Sequence, residues 1–405
     1  MEIHGDLKGD EAHFFGKQID VHQGQIDLSS KIGDGGLLQI GRDETGRFNE
    51  PKSQVVWVAD QVEVCADGGE RGSGGKVSIW GDEAAVFAGS LSARGGDQGG
   101  DGGFFEVSSH KHPLISGSVD MKAPMGKVGT SYIDPANILI QAGSSSVQTR
   151  TTANGVEFIF PSASATLGIE QISSLLNGSN VIIDTSSTSG SFSEPGDINW
   201  YDAGVFSSLH TLTLMADRDI TFNAPIITSG SFEAIAKRNI SLPSSGIPIL
   251  IDCRGGDITM TAGESMTIAA PSGPQLLTNH GLAATGQVAL KANQFSLASS
   301  DTIAATIRGP KGVSISPNST GGSASITTDC TTNTTTITST SGVVELGQDG
   351  ASYSTISMST SAGEGITLSA NNGIGLLATE QVKIEAANGA ININQSGGTG
   401  DIVVT

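Results

Sequence analysis

The feature of this sequence that most narrows its fold is a two-residue period. Apolar side chains come in i, i+2 pairs, each pair bracketed by Gly, Asn, Asp or Ser. Ile19/Val21, Ile26/Leu28, Val62/Val64, Val77/Ile79, Ile258/Met260, Val288/Leu290, Ile366/Leu368, Val382/Ile384 and Ile391/Ile393 all follow it. Such alternation puts both apolar side chains on one face of an extended segment, and the flanking turn formers limit each strand to about three to five residues. The expected class is therefore all-β. Helical spacing occurs once, over Ile169 to Leu176, with Ile169, Ile172, Leu175 and Leu176 on one face.

Many short, evenly spaced strands suit a sandwich, a barrel or a solenoid, and length separates these three. A single sandwich or barrel of 405 residues would be oversized, whereas a solenoid grows by adding coils without enlarging its core. Internal similarity agrees. Gly33-Asp34-Gly35-Gly36-Leu37-Leu38, Gly72-Ser73-Gly74-Gly75-Lys76-Val77 and Gly100-Asp101-Gly102-Gly103-Phe104-Phe105 are one turn-then-strand cassette used three times. The glycines are expected to supply positive φ at tight corners. With ~20 to 25 residues per coil, roughly 16 to 20 coils would stack into an elongated rod.

Composition removes several functional classes. Lys plus Arg number 21 against 41 Asp plus Glu, a balance of −20 with no basic cluster, so no nucleic-acid partner is expected. An apolar content of 37% is too high for a disordered chain, and no apolar run approaches the ~20 residues of a membrane helix. Cys65, Cys253 and Cys330 are far apart without Cys-x-x-Cys spacing, so they are read as isolated small apolar residues or free thiols. Met1 to Leu7 lacks the basic and apolar regions of a secretory signal, which fits a protein that stays inside or the downstream part of a longer chain.

Composition also divides the chain. Residues 1–142 hold the Gly-Asp turns and more than half of the charge; 143–250 are Ser/Thr-rich and include the helix; 251–405 are regular and sparsely charged. In the last segment Ile366, Ile374, Val382 and Ile391 are eight or nine residues apart. That cadence suits one strand per face of a three-sided single-chain coil, and equally a three-chain β-prism.

Residues 14–140 resemble the filamentous haemagglutinin-like exoproteins of bacterial two-partner secretion. The resemblance is carried by Gly33–Gly41, Gly74–Trp80, Val86–Gly96, Gly99–Ser108, Gly117–Asp120, Gly126–Gly129 and Asp134–Ile138, in that order and spacing. It implies a right-handed parallel β-helix, export through an outer-membrane two-partner transporter, and adhesion at the bacterial surface to glycans or proteins of a host or neighbouring cell. Members of that family begin with a signal peptide and a secretion domain bearing Asn-Pro motifs. This sequence has no Asn-Pro dipeptide, so a fragment lacking the secretion domain is implied. From about residue 251 the cadence also resembles the β-prism of phage and type VI secretion spikes.

Few residues suggest chemistry. A polysaccharide lyase or hydrolase on a β-helix needs converging carboxylates, and Asp97, Asp101 and Glu106 with Arg94 are the nearest approach. Asp97 and Asp101, with Asp34 and Asp67, are also the candidate calcium ligands, but Gly95–Gly100 departs from the nonapeptide calcium repeat at two positions. Asp capping a Gly turn through side-chain-to-backbone hydrogen bonds explains these residues more simply, so no metal, cofactor or catalytic site is expected. His110 and His112 form a two-imidazole pair without a third ligand in sequence. Gly-Lys at 16, 75 and 126 lacks the other residues of a phosphate loop. Thr211/Thr213, Thr259/Thr261 and Thr334–Thr336 with Thr338 could form hydroxyl rows but fit ordinary β-propensity. Trp57, Trp80 and Trp200 are read as packing residues rather than sugar platforms. The expected function is a non-catalytic adhesin; the alternatives are a polysaccharide-active enzyme and a trimeric spike or fibre.

Overall fold

The computed structural model describes residues 1–42, 52–143, 148–152, 155–159, 165–185, 195–243, 249–270, 275–278, 285–299, 305–319, 321–328, 335–339, 343–347, 352–360, 365–370, 374–386, 390–395 and 402–404. Two compact units result, Met1–Asp197 and Ile198–Thr405.

In the first unit the strands Glu11–Phe14, Leu37–Ile40, Lys76–Trp80, Phe104–Ser108, Thr130–Asp134 and Asn180–Asp184 pair in that order, all parallel. Parallel neighbours require a crossover between them, and here the crossover is the rest of the coil, as a parallel β-helix demands. A second parallel sheet runs Glu2–His4, Gln18–Asp27, Val55–Cys65, Ala84–Phe87 and His112–Ile115. Val55–Cys65 is one long strand, but the next coil splits into Ala84–Phe87 and Ser90–Ser92, both paired with it. Gly89 lies at the split, where a Cβ would stand 2.4 Å from the Val62 carbonyl oxygen.

Register turns the sequence period into a core. Ile40, Ile79, Val107, Ile133 and Ile183 are consecutive Cα partners, and all are buried. Each contributes about 1.5 to 3 kcal/mol by leaving water. Two insertions interrupt the coil: an antiparallel hairpin, Gln148–Thr152 with Gly155–Ile159, and the helix Ile169–Leu176. The helix has the boundaries and the buried face that spacing predicts, Ile169, Ile172, Leu175 and Leu176. Its start is fixed by Gln171, whose Oε1 accepts the Gly168 N–H at 3.0 Å.

The second unit is more regular. Each coil lays one strand on each of three parallel sheets, as in Leu212–Ala216, Asp219–Phe222 and Ile226–Thr228 followed by Phe232–Ala236, Asn239–Leu242 and Leu250–Cys253. The eight- or nine-residue cadence is confirmed, since Ile366, Ile374, Val382 and Ile391 fall on successive faces of one chain. Of the two arrangements that cadence allowed, the single-chain coil is the one formed. One core column runs Leu214, Ala234, Met260, Leu290, Ile315, Leu346 and Leu376, every member buried.

Two expectations need correction. Hydrogen-bonded neighbours on adjacent coils are 20, 26 and 30 residues apart at Thr213–Glu233, Ser231–Asp257 and Asp257–Gln287. Coils thus vary in length and reach past the 20 to 25 residues expected, and the 16 to 20 coils expected are too many, because loops lengthen without adding a strand. The cassette glycines meet the expectation at one position: Gly100 has a φ of 97°, whereas Gly35, Gly36, Gly74, Gly75, Gly102 and Gly103 are not among the glycines with positive φ. What excludes a side chain there is the neighbouring coil: a Cβ on Gly75 would lie 2.1 Å from the Gly36 carbonyl oxygen, and one on Gly103 2.3 Å from that of Gly75.

Candidate functional site

The corners of the first unit account for Asp34, Asp67 and Asp101. Asp34 Oδ1 accepts the Ser73 N–H at 2.7 Å, Ser73 Oγ accepts the Asp101 N–H at 3.1 Å, and Asp101 Oδ1 accepts the Lys127 N–H at 2.8 Å. One polar side chain per coil therefore satisfies a backbone donor of the next. A second ladder climbs beside it, with Ser29 Oγ accepting the Asp67 N–H at 3.3 Å and Asp67 Oδ1 accepting the Arg94 N–H at 2.7 Å.

The residues grouped above as possible catalysts engage separate partners. Asp101 caps Lys127, Glu106 accepts from Ser78 Oγ at 2.9 Å and Ser108 Oγ at 2.7 Å, and Arg94 Nε lies 3.8 Å from Asp120 Oδ2. Asp97 is exposed and lines a shallow groove of about 390 Å³ with Asp67, Glu70 and Gln98. Among the described residues, neither Asp97 nor Asp101 belongs to a group of three His, Cys, Asp or Glu side chains close enough to share an ion.

His110 packs edge-on against Trp80 at 5.3 Å, with its Nε2 3.9 Å from Asp82 Oδ1, and Trp80 Nε1 donates to that same oxygen at 3.0 Å. Burial pushes both His110 and His112 below the ordinary imidazole range, with Lys111 adding to the effect at His112. Trp80 and Trp200 are buried, in keeping with packing roles, while Trp57 is half-buried. Burial raises the Cys65 thiol to about 11 and raises buried Cys253 further, so neither is an activated nucleophile. Cys330 and Thr334 lie outside the described residues.

The most extended polar feature is a face of the second unit that strand-by-strand reading missed. Thr221, Ser241, Thr267, Ser296, Ser325 and Ser357 are consecutive Cα partners on one sheet, alternating with the inward Ile, Met, Phe and Leu side chains. All six are half-buried or exposed. They form a column of hydroxyls repeating at ~4.8 Å, the separation of paired strands. Beside it runs a second polar column, Asp219, Asn239, Ser265, Gln294, Ser323 and Thr355. Its members orient one another: Ser265 Oγ donates to Asn239 Oδ1 at 2.5 Å and Ser323 Oγ to Gln294 Oε1 at 2.6 Å. Arg238 clamps Asp219 and holds its carboxyl below the ordinary carboxylate range. Thr259 and Thr261 lie along one strand, whereas this array runs across strands and becomes visible only through register.

A further group brings together Glu2, His4 and His22, whose ligand-capable atoms all lie within 4.8 Å of one another. Nothing local in the sequence signals it, because it is the coil that brings the rings of His4 and His22 together.

Neither a protein-family model nor a curated protein matches this chain.

Proposed function

We propose that this chain is a non-catalytic, adhesin-like structural protein, displayed outside the bacterial cell and exported with the help of an outer-membrane two-partner transporter. The observation that carries the reading is the in-register hydroxyl column from Thr221 to Ser357 beside its amide and carboxylate neighbours. Stacked coils hold these groups at a fixed repeat, and a surface glycan presents hydroxyls at a repeat of its own. Many weak hydrogen bonds along one rigid face give avidity without a deep pocket. The charge of −20 opposes approach to anionic cell surfaces, so binding is expected to strengthen with divalent cations and with salt.

The test is binding of the purified chain to cells and to immobilised surface glycans, with Thr267→Glu/Ser296→Glu/Ser325→Glu as the face variant. The reading predicts saturable binding that falls by about tenfold or more in the variant while its circular dichroism is unchanged. Equal binding by both proteins would overturn the assignment of this face. Release of new reducing ends or unsaturated products from a polysaccharide would replace it with the enzymatic alternative.

A further inference from the structure

We propose that Glu2, His4 and His22, together with Asp20, bind one divalent first-row transition-metal ion, which clips the first strand of the first unit to the second. Glu2 and His4 lie two apart on the strand Glu2–His4, and Asp20 and His22 lie two apart on the strand Gln18–Asp27. The two strands are parallel, with Glu2 directly opposite Asp20. Register shifts between Ile3 and His4, which sets His4 against Gln23 and brings its ring over His22. The rings stack at 4.6 Å with 3° between their planes, and His4 Nε2 is 4.0 Å from Glu2 Oε2.

Asp20 is the independent observation. It is only 9% exposed, its Oδ2 accepts from Gln18 Nε2 at 3.0 Å, and its Oδ1 has no hydrogen-bond partner. A buried carboxylate oxygen left unmatched costs stability unless a cation answers it. Glu2 lies opposite Asp20 and His22 two residues along its strand, while Asp20 itself stands outside the three donors that lie within 4.8 Å of one another and would have to close a larger gap to join them.

The donor set selects the ion. Two imidazoles and carboxylates suit zinc and its neighbours, whereas calcium and magnesium prefer an all-oxygen shell. Ligand atoms around a tetrahedral ion with bonds near 2.0 to 2.1 Å sit about 3.4 Å apart. The separations of up to 4.8 Å must therefore contract modestly. The exposed Glu2 and His4 side chains can turn to do this. Because the ligands come from adjacent strands, an ion would resist peeling of the first strand, whose outer edge has no neighbouring coil among the described residues.

Isothermal titration of the untagged, chelator-treated full chain with zinc chloride tests this, alongside cobalt absorption in the visible and hydrogen exchange of the Ile3 and His4 amides. The proposal predicts one zinc per chain, a histidine-ligated cobalt spectrum, and slowed exchange in zinc but not in calcium. His4→Ala and His22→Ala should each weaken zinc binding by about tenfold or more, and Asp20→Asn should weaken it measurably. His110→Ala/His112→Ala should leave it unchanged. Circular dichroism checks that each variant is folded. No saturable zinc binding, or binding that survives His4→Ala/His22→Ala, overturns the site; full affinity in Asp20→Asn overturns the part given to Asp20.

Discussion

The two units build the same stacked coil by different means, and the contrast shows what a β-helix requires. In the first, the corners close on glycine, so that backbone meets backbone at Gly36, Gly75 and Gly103 and polar side chains cap the next coil. In the second, each coil lays down three short strands with Ser, Thr and Asn ladders between coils, while single glycines such as Gly230 and Gly263 still meet the backbone of the neighbouring coil. Corner ladders persist there: Ser231 Oγ accepts the Asp257 N–H at 3.1 Å, and Asp257 Oδ1 accepts the Gln287 N–H at 2.9 Å. Both solutions answer one demand, that each buried backbone donor find a partner while apolar columns stay in register.

The contrast can be broken most forcefully at a cassette corner. Gly75→Ala places a Cβ where 2.1 Å separates it from backbone, and the stacked coils cannot separate without losing the ladder. We expect a loss of about 4 kcal/mol confined to the first unit, measured by hydrogen exchange. Gly255→Ala in the second unit, whose nearest neighbour would be 3.5 Å away, should change stability by less than about 0.5 kcal/mol. Equal effects at the two positions would contradict close approach between coils as the reason for glycine at the cassette corners.

The second unit should instead be most sensitive in its columns. Leu290→Ala opens a cavity in the middle of a buried row and should cost about 3 kcal/mol by denaturant unfolding. Capping ladders should matter less and alike in both units. Asp101→Ala and Asp257→Ala each strand one backbone N–H and should cost about 1 kcal/mol, with Asn at either position recovering part of it.

Acid should separate the units by the smallest margin. The folded values of His110 and His112 lie below the ordinary 6.5, so the unfolded chain takes up protons first. Their contribution is complete above about pH 6.5 and is lost as pH falls through the lowered folded values. Asp219 in the second unit is held below the ordinary 3.8, so its contribution persists until pH falls under that value. Between pH 6.5 and 5 the first unit should therefore soften while the second does not, and His110→Phe/His112→Phe should flatten the profile.

Much of this architecture is legible in the sequence because strand alternation and turn residues are local signals. Val77 and Ile79 are buried as their period requires, and Ile169–Leu176 is helical with the expected face. What stayed hidden depends on which residues one coil sets against the next. Thr221 and Ser357 share a column only through five successive registers, and His4 meets His22 only through a register shift. The cassette glycines were recognised, but their reason was not, since a close approach between coils leaves no mark within either one. Asp97 and Asp101 look alike in sequence and both are exposed, yet Asp101 caps a neighbouring coil by accepting the Lys127 N–H.

The central claim is in-register parallel stacking, and spin-label distances within the second unit test it most directly. Glu233, Thr259, Ala289, Ser314 and Glu345 are consecutive partners on one sheet. With the native cysteines replaced, labels at 233 and 314 should lie ~14 Å apart and labels at 233 and 345 ~19 Å, a step of ~4.8 Å per coil. Separations that fail to grow by a constant step along this series would contradict the fold and every register-based assignment above.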